Sequence, residues 1–244
     1  MISVENLTKR FDGLTAVSEL SFRVHPGEIL GLVGPNGAGK TTTLRSITGI
    51  LKPDGGRILV GDIDVAARPV DAKRLLAYVP DTPHSFDLLT VFEHLRFTAL
   101  AYQVENPEPL YEYWLRAMEL EEKRDQLATT LSRGMQQKLA IACAFLHDPR
   151  AILLDEPLTG LDPRGIRGMR ASIRERADAG AAVVVSSHQL ELVERLCDRV
   201  LILGRGRELA QGTLGEIRAA SRTPEHATLE EVFFALTETE QDRT

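Results

Sequence analysis

The chain has 244 residues, 43% hydrophobic and 26% charged, with 35 acidic against 29 basic side chains and a net charge of −6. Those proportions suit a globular protein that buries a substantial core, and they exclude a disordered, collagenous or disulfide-scaffold chain. The acidic balance argues against a nucleic-acid partner, because a phosphate backbone selects a basic surface, but it does not exclude an anionic small ligand held by main-chain amides and one lysine.

In chain order, residues 2–9 alternate as a strand does, with Ile2, Val4 and Leu7 set against Ser3, Glu5 and Thr8. Residues 20–24 read as a second strand, closed by the turn chemistry of His25-Pro26-Gly27. A buried strand over 28–33 runs into a glycine-rich loop, and helical character follows over 40–50. Pro53-Asp54-Gly55-Gly56 is a turn, with short strands over 57–60 and 75–79.

Residues 90–146 differ in composition. Thr90 and Glu93 fit a capping box, and Phe92, Leu95, Phe97 and Leu100 give a broad apolar helical face. Pro107 and Pro109 interrupt it, a second helix runs to residue 120, and a third begins near Ser132 and carries Leu139, Ala142, Cys143 and Leu146. This stretch is expected to be a helical subdomain inserted into an α/β core.

The core resumes with strands over 151–155, 182–186 and 200–203 and helices over 163–179 and 189–196. Alternating strands and helices predict a largely parallel sheet covered on both faces. Leu229, Val232, Phe233 and Leu236 share a helical face, so a short helical tail is expected over 213–244 of a single domain spanning 1–244.

Cys143 and Cys197 belong to no metal or redox spacing and read as reduced core thiols. Residues 1–13 lack the apolar stretch of a signal, and no run approaches the ~18 apolar residues of a membrane span. A membrane role is therefore expected to come through a partner.

Gly34-Pro35-Asn36-Gly37-Ala38-Gly39-Lys40-Thr41 matches G-x-x-x-x-G-K-[ST] and follows the strand residues Ile29-Leu30-Gly31-Leu32-Val33, as a phosphate loop requires. The glycines let successive amides converge on one anion, and the following helix, with Thr42 in its first turn, adds unpaired N–H groups and a partial positive charge. Lys40 is expected on the β and γ oxygens and the Thr41 hydroxyl on Mg²⁺.

Ile152-Leu153-Leu154 ends in Asp155-Glu156, two carboxylates at the end of an apolar strand where bare charge is costly. After a phosphate loop, the first acid is expected to hold the Mg²⁺ shell and the second to orient and deprotonate water.

Leu131-Ser132-Arg133-Gly134-Met135-Gln136-Gln137 resembles the LSGGQ signature of the ATP-binding cassette (ABC) ATPases, and Met135 lies 18 residues before Leu153, as the family layout has it. The resemblance covers essentially the whole chain. Leu158-Thr159-Gly160-Leu161-Asp162-Pro163 resembles the family's D-loop, Ser186-Ser187-His188 its switch histidine, and Phe11 stands where an aromatic stacks on adenine.

The resemblance implies the P-loop NTPase fold of ABC ATPases: a mixed-sheet core, an N-terminal antiparallel β part and the inserted helices. It implies ATP and Mg²⁺ sandwiched between two head-to-tail cassettes, homodimeric or heterodimeric. Ser132 and Gly134 then act in trans, His188 contacts the γ-phosphate and the attacking water, and an integral membrane permease is driven from the cytoplasmic face. The wording of the signature and tail resembles exporter-type subunits.

Three positions depart from the family pattern. Arg133 and Met135 stand in the signature where the family has other residues, and Asp81 replaces the glutamine that senses Mg²⁺, a carboxylate that can still face the metal. The rival readings are a soluble ABC-type ATPase outside transport, whose usual second cassette, coiled coil or zinc site is missing here, and a binding-only regulatory module, against which Glu156 and His188 argue. Phe86, Leu88 and Leu89 either line a groove for the permease or belong to the chain's own core.

Overall fold

The computed structural model describes residues 1–221 and 223–241. Strands β1 (Ile2–Phe11) and β2 (Leu14–Val24) form an antiparallel pair, and β1 also pairs with β4 (Gly55–Val60), which carries the two-residue β5 (Ile63–Asp64), in the order β2-β1-β4-β5. Ile2, Val4 and Leu7 are buried as the alternation predicts. The second strand starts six residues before its expected position. Register shifts against β1 and the positive φ of Glu19 (52°) break the alternation there, so periodicity does not reveal that half of the strand.

The second sheet holds β3 (Ile29–Val33), β6 (Leu76–Val79), β7 (Ala151–Asp155), β8 (Ala182–Ser186), β9 (Arg199–Gly204) and β10 (Arg207–Gly212), in the order β10-β9-β3-β8-β7-β6. All its pairings are parallel except the edge hairpin β9–β10. Both faces are covered, as expected. Ala151, Leu153, Ala182 and Val184 share one core with the antiparallel sheet and α1 (Lys40–Ile47). Ile152, Leu154, Val183 and Val185 share the other with α3 (Val91–Tyr102), α4 (Glu108–Ala117), α5 (Arg133–Phe145) and α6 (Pro163–Asp178). Each such valine, leucine or isoleucine stabilises the fold by about 1.5–3 kcal/mol when fully buried, which sets the strand register firmly. Gly31 is required on β3: a Cβ there would lie 2.4 Å from Val193 Cγ1 of α7 (Leu190–Leu196).

Helix starts follow their caps. Thr90 N donates to Glu93 Oε2 (2.8 Å) and Glu93 N to Thr90 Oγ1 (3.2 Å), completing the predicted box. Asp162 Oδ1 accepts from Gly165 N at 2.7 Å ahead of α6. The first helix stops at Ile47 rather than residue 50, where the Thr48 hydroxyl turns back to Arg45 O and Gly49 takes φ +70°.

Three strands and helices have no counterpart in the sequence reading: β5, α2 (Pro69–Arg74) and β10. The first two are too short for periodicity, and β10 mixes polar and apolar residues on a half-exposed edge. Helix α8 (Leu214–Ser221), inside the span of the expected tail, starts from a second capping box, Thr213 with Glu216. In α9 (Leu229–Gln241), Leu229 and Val232 are buried and Phe233 and Leu236 pack beside them, while residues 242–244 of the expected tail lie outside the described residues. Among the described residues, no helix is long and apolar enough to cross a membrane.

Candidate active site

Strands β3, β8 and β7 are neighbours in the sheet, so the segments leaving their carboxyl ends converge, the usual place for a ligand in an open α/β sheet. These segments are the loop 34–39, Ser187-His188 and Glu156.

The loop's glycines are dictated by space and dihedral angle. A Cβ on Gly34 would sit 2.6 Å from Leu203 O and 2.9 Å from Ala38 Cβ, and one on Gly39 (φ +100°) 2.6 Å from Ala16 O. Gly37 takes φ +81° with open space around it, and Pro35 and Asn36 are exposed beside it. Gly39 caps α1 without a side chain, which leaves the first-turn N–H groups of a helix carrying Thr41 and Thr42 available to an anion.

Lys40 is only 9% exposed, and its Nζ donates to Gly34 O (2.6 Å) and Pro35 O (3.1 Å). Burial lowers its pKa, with Glu156 and Asp155 opposing that shift.

Asp155 is buried, and its Oδ1 accepts from the hydroxyl of Ser186, its cross-strand neighbour on β8. Glu156 holds φ +50°, an uncommon backbone for a non-glycine residue that costs of order 1–3 kcal/mol. Its N–H donates to Ser186 O at 3.0 Å. Its Oε2 accepts from Ser187 Oγ at 3.2 Å and lies 2.9 Å from His188 Nδ1. A carboxylate only accepts, so Nδ1 carries the hydrogen and Nε2 is left for another partner on a side chain that is 61% exposed. Ser187 Oγ also accepts from Gln189 N, fixing the main chain on either side of His188.

Ser186 and Ser187 were missed as site residues. Only the register Asp155↔Ser186, which places the two strand ends side by side, gives them a role.

Phe11 stands at the end of β1, 41% exposed, with Lys9 Nζ 5.2 Å from its ring centroid and Lys9 paired to Asp54. Ser132 caps α5 by accepting from Met135 N, and Gly134 packs so closely that a Cβ would lie 2.7 Å from Gly160 O. Among the described residues, no hydrogen bond or ion pair joins Ser132, Arg133 or Gly134 to residues 34–42. Asp81 faces Arg133, whose Nη2 lies 3.4 Å from its Oδ1. The described residues hold no group of three His, Cys, Asp or Glu side chains able to cage a metal alone. Cys143 and Cys197 are free, with burial raising their thiols to about 11 and about 12, the inert behaviour expected of core thiols.

A family model described as "ABC transporter" matches residues 17–159. The ABC-type transporter ATP-binding protein EcsA of Bacillus subtilis (strain 168) is 36% identical over 239 residues, which is 97% of this chain and 96% of that protein. The SkfA peptide export ATP-binding protein SkfE of the same organism is 38% identical over 215 residues, 85% and 87% of the two. The solved structure of an ATP-binding subunit of an ABC transporter superposes with a TM-score of 0.93 at 36% identity, covering 97% of this chain and 99% of that one. With a phosphate loop and acid pair at adjacent strand ends and a match along nearly its whole length, this chain belongs to the ABC transporter family as an ATP-binding, ATP-hydrolysing subunit.

Proposed function

We propose that this chain binds and hydrolyses Mg-ATP between two cassettes, with binding closing the pair and hydrolysis opening it, and passes that cycle to a separate integral membrane permease, working as an exporter from the cytoplasmic face of the membrane. The observation that carries the proposal is the meeting of the phosphate loop, with its buried Lys40, and the acids Asp155 and Glu156 at adjacent strand ends, each acid held by a side chain from the end of β8.

Lys40 and the amides of residues 34–42 bind the terminal phosphates. Glu156, fixed by Ser187 and facing His188, orients the attacking water and takes its proton, a role worth roughly 10²–10⁴-fold in rate. His188 keeps Nε2 for the water or the γ-phosphate. Phe11 offers an exposed ring face to the base.

The donor set fits Mg²⁺. A hydroxyl at the start of α1 and one buried carboxylate are hard oxygen donors, and so small a protein contribution suits an ion that keeps several waters and binds substrate phosphates. Thr41 and Asp155 would hold it, and when bound it neutralises charge on the phosphoryl group.

Ser132 and Gly134 have no tie to their own phosphate loop among the described residues, which favours their service to a second copy or a related cassette. Export is the direction favoured by the likeness to a peptide export subunit and by the wording of residues 229–233. The permease is expected at the exposed apolar residues Phe86 and Leu88, with Phe97 edge-on to Phe86 at 5.0 Å.

Mg-dependent turnover by Glu156→Gln tests the site. Lost hydrolysis with ATP retained in a stable dimer is expected, and turnover equal to that of the unaltered chain overturns Glu156 as the base. Co-purification from detergent-solubilised membranes, with identification of the integral protein retained, tests the partner; retention of none rejects it.

A further inference from the structure

Two of the three departures from the family pattern, Asp81 and Arg133, stand 52 positions apart in sequence and meet in the fold, with Arg133 Nη2 3.4 Å from Asp81 Oδ1. We infer that they form one positioning unit, in which Asp81 is the counter-charge that sets Arg133, and with it the signature turn 131–135, and is not a ligand of the metal. The inference rests on the two-cassette reading above, because the turn so positioned is the one offered to a second copy.

Arg133 is the first residue of α5, directly after its cap Ser132, so its side chain leaves from the point where the turn becomes helix. Its stem lies over the loop that follows Glu156: a Cβ on Gly160 (φ +80°) would meet Arg133 Cδ at 3.6 Å and Cγ at 3.7 Å. Gly134 already approaches Gly160 O too closely for any side chain. The turn is thus braced on one side by backbone packing, and the guanidinium supplies its tie on the other side, to the loop between β6 and α3. That loop also carries the exposed Phe86 and Leu88, so the same contact joins the apolar surface to the signature turn.

The energetics suit a tie that yields. The contact has one tooth rather than the bidentate fork of a strong arginine–carboxylate pair. The two side chains are 57% and 50% exposed, and such pairs contribute about 0.2–1 kcal/mol. A shift of the loop 80–89 is therefore enough to release the turn. Asp81 Oδ1 is directed at the guanidinium on a half-exposed side chain, whereas Asp155 is buried at a strand end against the Ser186 hydroxyl, which separates the two acids by place in the fold.

The test is a double-mutant cycle on the full chain in a Glu156→Gln background, reading the ATP concentration that drives half-dimerisation in sedimentation. Asp81→Asn and Arg133→Gln are each expected to raise it about 1.5- to 5-fold. The double variant is expected to match one single variant, and the exchange Asp81→Arg with Arg133→Asp to recover most of the loss. Mn²⁺ bound with ATP, followed by electron paramagnetic resonance, is expected to keep its affinity in Asp81→Asn. Additive single effects, no recovery in the exchange, or weaker Mn²⁺ binding in Asp81→Asn each overturn the inference. Nucleotide binding by the unaltered chain is measured alongside: its absence defeats the reading of the site itself, whereas normal binding with a null cycle defeats only the pairing.

Discussion

The carboxyl ends of β3, β7 and β8 and the seam where the loop 80–89 meets α5 hold functional side chains by opposite means. At the strand ends, Lys40, Asp155, Ser186 and Ser187 are all less than a tenth exposed, and each makes a hydrogen bond fixed by strand register or by the loop itself. At the seam, Asp81 and Arg133 share one exposed contact, and Phe86 and Leu88 are 54% and 86% exposed. Burial raises the worth of each polar contact and the penalty for breaking it, whereas exposed pairs are cheap to part. The molecule is rigid where atoms must be aligned for chemistry and loosely tied where contacts between subunits must change.

The largest effect is expected from the buried side. Lys40→Ala removes a charged donor from two carbonyls and from the incoming phosphates. Hydrogen bonds to charged groups contribute about 1.5–3 kcal/mol, so nucleotide affinity should fall about 10- to 100-fold in a titration with a fluorescent nucleotide. Unchanged affinity would mean that Lys40 serves only its own loop, and the contrast between the two regions would lose its chemical side.

Ser187→Ala sharpens the comparison at a smaller scale. The variant loses one donor to the Glu156 carboxylate, a bond to a charged acceptor but a long one at 3.2 Å, and one acceptor for Gln189 N, a neutral bond worth about 0.5–1.5 kcal/mol. Turnover should fall about 2- to 10-fold with nucleotide affinity unaltered, because the serine touches the acid and not the phosphates. A proportionate loss in affinity would show that the serine supports the fold of the strand ends and not the orientation of Glu156.

The two regions also differ in how far the sequence displays them. The phosphate loop, the acids at 155 and 156 and the Thr90–Glu93 box are readable because each is carried by residues a few positions apart, where glycine dihedrals, helix caps and strand hydropathy act locally. Ser186 and Ser187 are invisible without the pairing of β7 with β8, which joins residues 31 positions apart. Asp81 and Arg133 are each legible only as a departure from a pattern, and the fold makes them partners. Glu156 gives no sign in sequence of its positive φ, since any residue after a buried strand can be turned there by the neighbouring strand end.

The smallest effect on stability is expected where the exposed apolar surface is largest. Leu88 makes no part of the buried clusters, so Leu88→Asp should change the unfolding free energy by less than about 0.5 kcal/mol. The neighbouring geometry explains why the loop survives such a change: Phe86 N donates to His94 Nε2 at 3.0 Å, and His94 Nδ1 pairs with Thr90 O at 2.8 Å. The first contact ties the loop to α3 and the second fixes the imidazole that receives it, without help from residue 88. A carboxylate on an apolar docking surface, by contrast, must be stripped of water without a partner, so recovery of the chain with solubilised membranes should fall sharply while nucleotide binding stays as it was. Loss of stability would place Leu88 in the chain's own packing. Full recovery with membranes would remove the loop 80–89 from the docking surface and leave its exposed leucine without a role.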